Sequence, residues 1–311
     1  MPKYWKSKTV LVKMETTYGT DPVPTGAANA ILCSNVTWSP MEGTDVVRNL
    51  ERPFFAAAPT LPAELRCVIS FDVELVGSGT LGTAPGWGPL MRACAAAEVV
   101  TAATKVEYTP ITNNPESVTL YFDIDGTLTK MLGTRGTAVL GLSANGLPKA
   151  TLTMTGLFSV PTEVAKPTPV YTGFQAPEVG SSTNTPTFTI GGTSFVLRDF
   201  QLDLGNDVQP RILIGQESIL IVDKSEKLTA TVEAVAVSAY NPMTIARAGT
   251  LQAIVLAHSN TVGRKVRIDV GSALQQRLSG VQQNQNIAEW PLVFVPQPTS
   301  AGNDQWKITL T

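Results

Sequence analysis

The sequence has little charge. Only 15% of its 311 residues are Asp, Glu, Lys or Arg, and the formal net charge is −2, where about a quarter charged is usual. A chain so near neutrality has no surplus of cations. That excludes a protein that grips nucleic acid by neutralising many phosphates. A sparse charged surface fits a chain whose faces are covered by other subunits, since interface cores are depleted in charge. A β protein of the secreted style, rich in Thr, Ser and Gly, would have the same composition. Histidine is nearly missing: His258 is the single one, which removes most His-based metal sites and leaves one candidate for any triad. Cys33, Cys67 and Cys94 are odd in number and form no C-x-x-C. They read as small buried hydrophobes in a reducing compartment rather than a disulfide frame. No run of 18 apolar residues is present, so no membrane-spanning helix is expected. The opening, MPKYWKSKTVLVKMETTYG, lacks the uninterrupted apolar core of a secretory leader.

Helical patterning is scarce too. PLMRACAAAE, Pro89 to Glu98, has Pro in a first-turn position with Leu90, Ala93, Cys94 and Ala97 on one face. NPMTIARAG, Asn241 to Gly249, has an Asn cap, a following Pro and a closing Gly. Strand signals dominate instead. CVISFDVELV, Cys67 to Val76, alternates Ile69, Phe71, Val73 and Leu75 with polar partners, and Ala150 to Phe158 behaves similarly. TFTIGGTSFVL, Thr187 to Leu197, reads as a hairpin turning at Gly191-Gly192. Further strands are expected over 117–124, 137–142, 218–222, 228–237, 251–258, 265–270 and 288–295.

Two motifs suggest chemistry. YFDIDGTLTK, Tyr121 to Lys130, has the D-x-D-G-T of phosphatases whose Asp attacks phosphorus beside Mg²⁺. That chemistry needs a parallel sheet with interleaved helices and a second acidic cluster. The next segment, Met131 to Pro148, is rich in glycine without helical period. Asp125-Gly126 is therefore read as a hairpin turn and Asp123 as a solvated strand residue. GSGTLG, Gly77 to Gly82, is a G-x-G-x-x-G after a strand. The prolines and glycines of TAPGWGP then delay the helix that a pyrophosphate would need. It reads as a flexible loop. His258 closes the apolar run LQAIVLAH and reads as a surface or interface residue. No catalytic residue, metal site or cofactor is expected.

The remaining features point to assembly. SPMEGTDVVRNLERPFFAAAPTLPAELR, Ser39 to Arg66, is too long for a hairpin turn and reads as a long loop carrying mixed charge and then Phe54-Phe55. Loops of this length are usually functional or disordered, and adjacent aromatic residues in a Pro-bounded arm suit docking on a neighbour. Asp45, Arg48, Arg52, Phe54 and Phe55 are the expected inter-ring or inter-subunit contacts. Ser159 to Pro186 holds five prolines and reads as a linker. On either side of it the order of elements recurs: strand, connection, strand, Pro-led short helix, then three strands. The expected division is 1–162, with an N-terminal arm and the 39–66 loop; a linker, 163–186; and 187–311.

The segment GTRGTAVLGLSANGLPKATLTMTGLFSVP, Gly133 to Pro161, with the hairpin at Asp125-Gly126 before it, resembles the end of a tail tube domain of long-tailed, siphovirus-like bacteriophages. IGGTSFVLRDFQLDLGNDVQPR, Ile190 to Arg211, resembles the start of another. The resemblance covers nearly all of the chain through loose motifs. It implies a mainly β fold: two tandem β-sandwich or barrel-like domains, each with a short flanking helix. It implies a major tail tube subunit whose strands join in rings that stack into a conduit for double-stranded DNA. Family members with one domain per chain form hexamers, so a duplicated chain implies trimers with pseudo-sixfold symmetry. Implied partners are further copies of the chain and the tape measure, terminator and distal tail proteins. The implied location is the virion tail, assembled in the bacterial cytoplasm, with no membrane. The arm at 39–66 and the N-terminal residues 1–28 are the expected ring-to-ring contacts. The alternatives are a tail completion ring or surface binding module, and an Mg²⁺-dependent phosphatase using Asp123.

Overall fold

The computed structural model describes residues 2–311. The first half contains β1 (Lys8–Met14), α1 (Gly26–Asn29), β2 (Ala30–Ile31), β3 (Ser34–Val47), β4 (Thr60–Glu74), α2 (Gly88–Ala93), β5 (Ala96–Thr101), β6 (Lys105–Pro110), β7 (Val118–Ile124), β8 (Thr127–Ser143), β9 (Lys149–Leu157) and β10 (Thr162–Glu163). The second contains β11 (Thr187–Ile190), β12 (Thr193–Ser194), β13 (Leu197–Asp203), β14 (Asn206–Leu213), β15 (Gln216–Lys224), β16 (Lys227–Glu233), α3 (Pro242–Ala248), β17 (Leu251–His258), β18 (Val266–Gln275), β19 (Gln282–Asn284), β20 (Ile287–Pro296) and β21 (Lys307–Leu310). The fold is mainly β, as the alternating patterns require, with helices confined to three short pieces.

Strand order follows one plan in both halves, all antiparallel. In the first it is β2-β1-β7-β8-β9-β4-β3. In the second it is β12-β11-β17-β18-β20-β16-β13. The halves are stitched twice. β13 adds to the free edge of β8, with Leu202 opposite Leu140 and Phe200 opposite Leu142. β21 lies between β18 and β6. β14 and β15 form a separate ribbon. Ile69, Phe71, Leu120 and Leu140 of the first half share one continuous apolar cluster with Phe200, Leu202, Leu228 and Phe294 of the second.

Local rules explain most elements. Asn241 caps α3, its Oδ1 accepting from the Met243 and Thr244 amides at 3.2 and 3.1 Å. Gly249 ends the helix in the left-handed region. Asp125 and Gly126 both have positive φ, at 50° and 89°, as do Gly191 and Gly192, at 57° and 81°. Paired positive φ is what a two-residue hairpin turn demands. α2 ends at Ala93, so Ala96 to Glu98 belong to β5, not to the expected helix; Ala96 is fully buried, pairing with Pro110.

The expected linker carries no helix or strand from 164 to 186 but is held at intervals. The Val164 amide donates to Gly126 O at 2.8 Å and Val170 to Gly26 O at 3.0 Å. Gly180 donates to Gly146 O at 2.8 Å, and Ser259 donates to Asn184 O at 2.6 Å. It is a strap across both halves. His258 clasps its end and, contrary to expectation, is buried. The carbonyl of Glu178 lies 3.1 Å from Nε2 and must accept, so Nε2 carries the proton and Nδ1 accepts from the Thr185 hydroxyl at 2.9 Å. Burial lowers the pKa of this imidazole, with the Glu178 carbonyl opposing.

The shared seam and the His258 clasp each have a measurable outcome. Because the β8–β13 seam and the core are shared, the monomeric chain unfolds in one calorimetric transition. Leu140→Ala and Leu202→Ala each lower that single transition, by about 2–5 kcal/mol; two separated melts would contradict the shared seam. For His258 the folded pKa lies below the unfolded value of about 6.5, so its contribution is complete above that pH and is lost as pH falls through the folded pKa. The stability difference between the parent and His258→Gln, measured by denaturant titration, therefore shrinks as pH falls below about 6.5.

Candidate assembly interfaces

The phosphatase-like stretch forms the β7–β8 hairpin. Asp123 is completely buried, not solvated. The pleat turns it inward at the last turn of the strand, where Oδ1 accepts from the Gly126 amide at 3.2 Å and Oδ2 has no partner. Burial raises its pKa, with the Gly126 amide opposing. Asp125 Oδ2 accepts from the Tyr4 amide at 3.1 Å, which lowers its pKa. Both carboxylates thus serve the turn and the chain entry. Among the described residues no group of three His, Cys, Asp or Glu side chains stands close enough to hold a metal ion.

The G-x-G-x-x-G segment is packed rather than flexible. The Gly79 amide donates to Gly263 O at 2.9 Å, and a Cβ on Gly77 would meet Gly263 O at 2.2 Å. Its glycines allow two loops from opposite halves to touch backbone to backbone. An open groove of about 520 Å³ lies between the halves, lined by Ser143, Asn145, Ser181, Phe188 and Phe195 among others, without any titratable side chain. It offers nothing for acid–base work.

The long loop at 39–66 is a long two-stranded hairpin. β3 and β4 stay paired from Ser34 opposite Asp72 out to Val47 opposite Thr60, and the Arg48 amide donates to Pro59 O at 2.8 Å. Pro40, Gly43 and Pro62 disguised this in the sequence. The ladder absorbs Pro40 and Gly43 through register shifts at Ser39/Glu42 and Glu42/Thr44, while Pro62 stays in register opposite Asp45. Its root is anchored. Asp72 accepts from Asn35, Lys149 and Thr151 at 2.8, 2.9 and 2.5 Å. Burial alone would raise the Asp72 pKa, but these bonds, led by Thr151, outweigh it and lower it.

Beyond Pro40 the hairpin leaves the body, and nearly every side chain is exposed. Asp45 lies opposite Pro62 on the outer ladder. Arg48 and Arg52 are exposed at the tip and, among the described residues, pair with no acid. Phe54 is 63% exposed and Phe55 wholly so, with Val46, Val47, Leu50 and Leu61 exposed along the same arm. The five residues singled out from the sequence therefore share one projecting element. A cluster of exposed large apolar groups on a protruding hairpin is what an association surface requires. The N-terminal residues divide differently: Lys8–Met14, expected within a contact arm, are an internal strand paired with β7 over seven residues.

The strand expected over 218–222 is the middle of β15, but its partner β14 was missed by sequence reasoning. The ribbon they form lies over the first half. The Ile219 amide donates to Tyr18 Oη at 2.6 Å, and Arg135 donates to Ile219 O at 2.7 Å. β14 alternates half-buried Val208, Pro210 and Ile212 with exposed Asp207, Gln209 and Arg211, and the proline in its middle hid the strand in the sequence.

No curated protein matches the chain. The family model described as phage tail tube protein matches residues 5–304. With that span covering nearly the whole sequence, and with a mainly β architecture, the chain belongs to the phage tail tube protein family.

Proposed function

We propose that the chain is a structural subunit of a siphovirus-like tail tube that carries two copies of the tail tube domain, residues 1–162 and 187–311, joined by residues 163–186. Three chains make a ring with pseudo-sixfold symmetry, and rings stack around a lumen through which double-stranded DNA passes. The observation that supports this is the shared strand order of the halves, β2-β1-β7-β8-β9-β4-β3 and β12-β11-β17-β18-β20-β16-β13. One ancestral unit repeated within a chain has that pattern, and a three-chain ring then presents six such units.

The composition suits a conduit. A wall rich in Lys and Arg would hold DNA through counterion release, whereas a net charge of −2 over 311 residues leaves the polymer free to slide. The β3–β4 hairpin, through Asp45, Arg48, Arg52, Phe54 and Phe55, makes the ring-to-ring contact. The open ends of the tube meet the tape measure, terminator and distal tail proteins during assembly in the host cytoplasm.

The purified chain, imaged in negative stain, forms long hollow tubes. Isolated short rings would instead favour a tail completion ring, and a persistent monomer would overturn the reading. Replacing Arg48–Pro59 by Asn-Gly closes the hairpin directly between Val47 and Thr60, which already face each other. This variant keeps its melting temperature, because surface changes outside packed regions cost within about 0.5 kcal/mol. It yields rings that fail to stack; tubes of normal length would remove the role given to the hairpin.

A further inference from the structure

The seam inside the molecule predicts a seam between molecules. β13 is the last strand of the second half's sheet, and its outer edge is closed by β8 of the first half over Val139–Ser143. β3 holds the same last place in the first half. Among the described residues its only ladder is with β4, so its outer edge is open. The counterpart of the β8 edge is also open. β18 and β19 together run along β20 as β8 runs along β9. The β8–β9 turn is centred near Asn145 and the β19–β20 turn near Gln285 and Asn286, all three with positive φ. Counting back from these turns, Val139–Ser143 corresponds to Gly280–Asn284. Of that segment, Gln282–Asn284 pairs with β20 and Gly280 and Val281 precede the ladder; no other strand pairs with it among the described residues.

We infer that β3 of one copy, through Asn35–Ser39, adds antiparallel to Gly280–Asn284 of a neighbouring copy, repeating the β13–β8 seam. This rests on the ring reading above and assigns the edges by which it closes. Register follows from the repeat and the pleat. Leu202 and Trp38 occupy matching places, opposite Leu228 and Ile69 in the adjacent strands. Leu202 faces core-side Leu140. Gln282 lies opposite Glu289, so Val281 is on the side of buried Trp290. Trp38 therefore meets Val281, and Thr37 meets Gln282.

Two independent features of the edges agree. Unpaired strands are normally defended by charge, proline or a bulge. SNVTWS, Ser34 to Ser39, and LSGVQQNQN, Leu278 to Asn286, contain no charge and no proline. The one bulge of β3 here, between Ser34 and Thr37, precedes the Thr37 and Trp38 contacts. Val281, immediately before β19, is 58% exposed, an apolar group left for a partner to cover. The joint is head-to-tail, since one copy offers β3 and the other 280–284. Such contacts close into a ring only when their rotation does.

The test is a disulfide between copies. Facing residues of antiparallel strands have Cα atoms about 4.5–5.5 Å apart, within disulfide range. In a Cys33→Ala background, the double variant Thr37→Cys/Gln282→Cys is assembled, oxidised and run without reductant. The monomer band shifts to dimer and trimer, with trimer as the end product. Each single variant stays monomeric under the same conditions. A second readout uses the unaltered chain: hydrogen exchange at Asn35–Ser39 and Gly280–Asn284 slows at least tenfold on assembly, while the already paired Val10 and Val12 amides do not change. Tubes or rings that form with neither cross-link nor added protection overturn the edge assignment and leave the tube reading standing. A chain that never assembles overturns both.

Discussion

Every architectural feature of this chain answers one constraint: a strand buried in a sheet must find partners for its peptide groups along both edges. β8 shows how strictly it is met. Its first turns pair with β7, its middle and end pair with β9, and the remaining outer edge is taken by β13 from the other half. The side chains beneath this seam, Leu140 and Leu202, complete a shared core. The two halves thus share one strand order and are joined by one core.

The same constraint separates the ordered strap from a true linker. Pro-rich composition suggested a flexible tether, and the proline count was a sound reason to expect no helix or strand. It did not reveal that isolated amides along the segment reach carbonyls at Gly26, Gly126 and Gly146. Those bonds are long-range and have no local signature. The neutral imidazole of His258 is similar. In sequence it ends an apolar run; in the fold it is a two-sided clasp that only tertiary structure reveals.

Sequence patterns were legible where local chemistry decides conformation. The 251–258 strand, the turns at Asp125-Gly126 and Gly191-Gly192, and the Asn241 cap all follow from period or dihedral demand. They were illegible where context overrides propensity. The alanines before Glu98 favour helix, yet β6 captures them into a hairpin. Asp123 sits in a strand whose outward face was assumed to be wet, but it is buried between Thr9 of β1 and Leu128 of β8, accepting from the Gly126 amide of its own turn. For the candidate contacts, Phe54 and Phe55 stood out by their Pro-bounded setting, while the hairpin that carries them was hidden by Pro40, Gly43 and Pro62.

The β8–β13 seam also has a consequence during synthesis. Its two partners are about sixty residues apart in the chain, so at about 5–20 residues per second the ribosome leaves β8 waiting some 3–12 s for its mate. Until β13 has been made, the outer edge of β8 at Val139–Ser143 lacks its partner. The strap spans that gap in the chain, and its bonds to Gly126 and Gly146 lay it along the first half between the two seam strands. The seam is thus a contact that the leading half cannot make until the strap has left the ribosome.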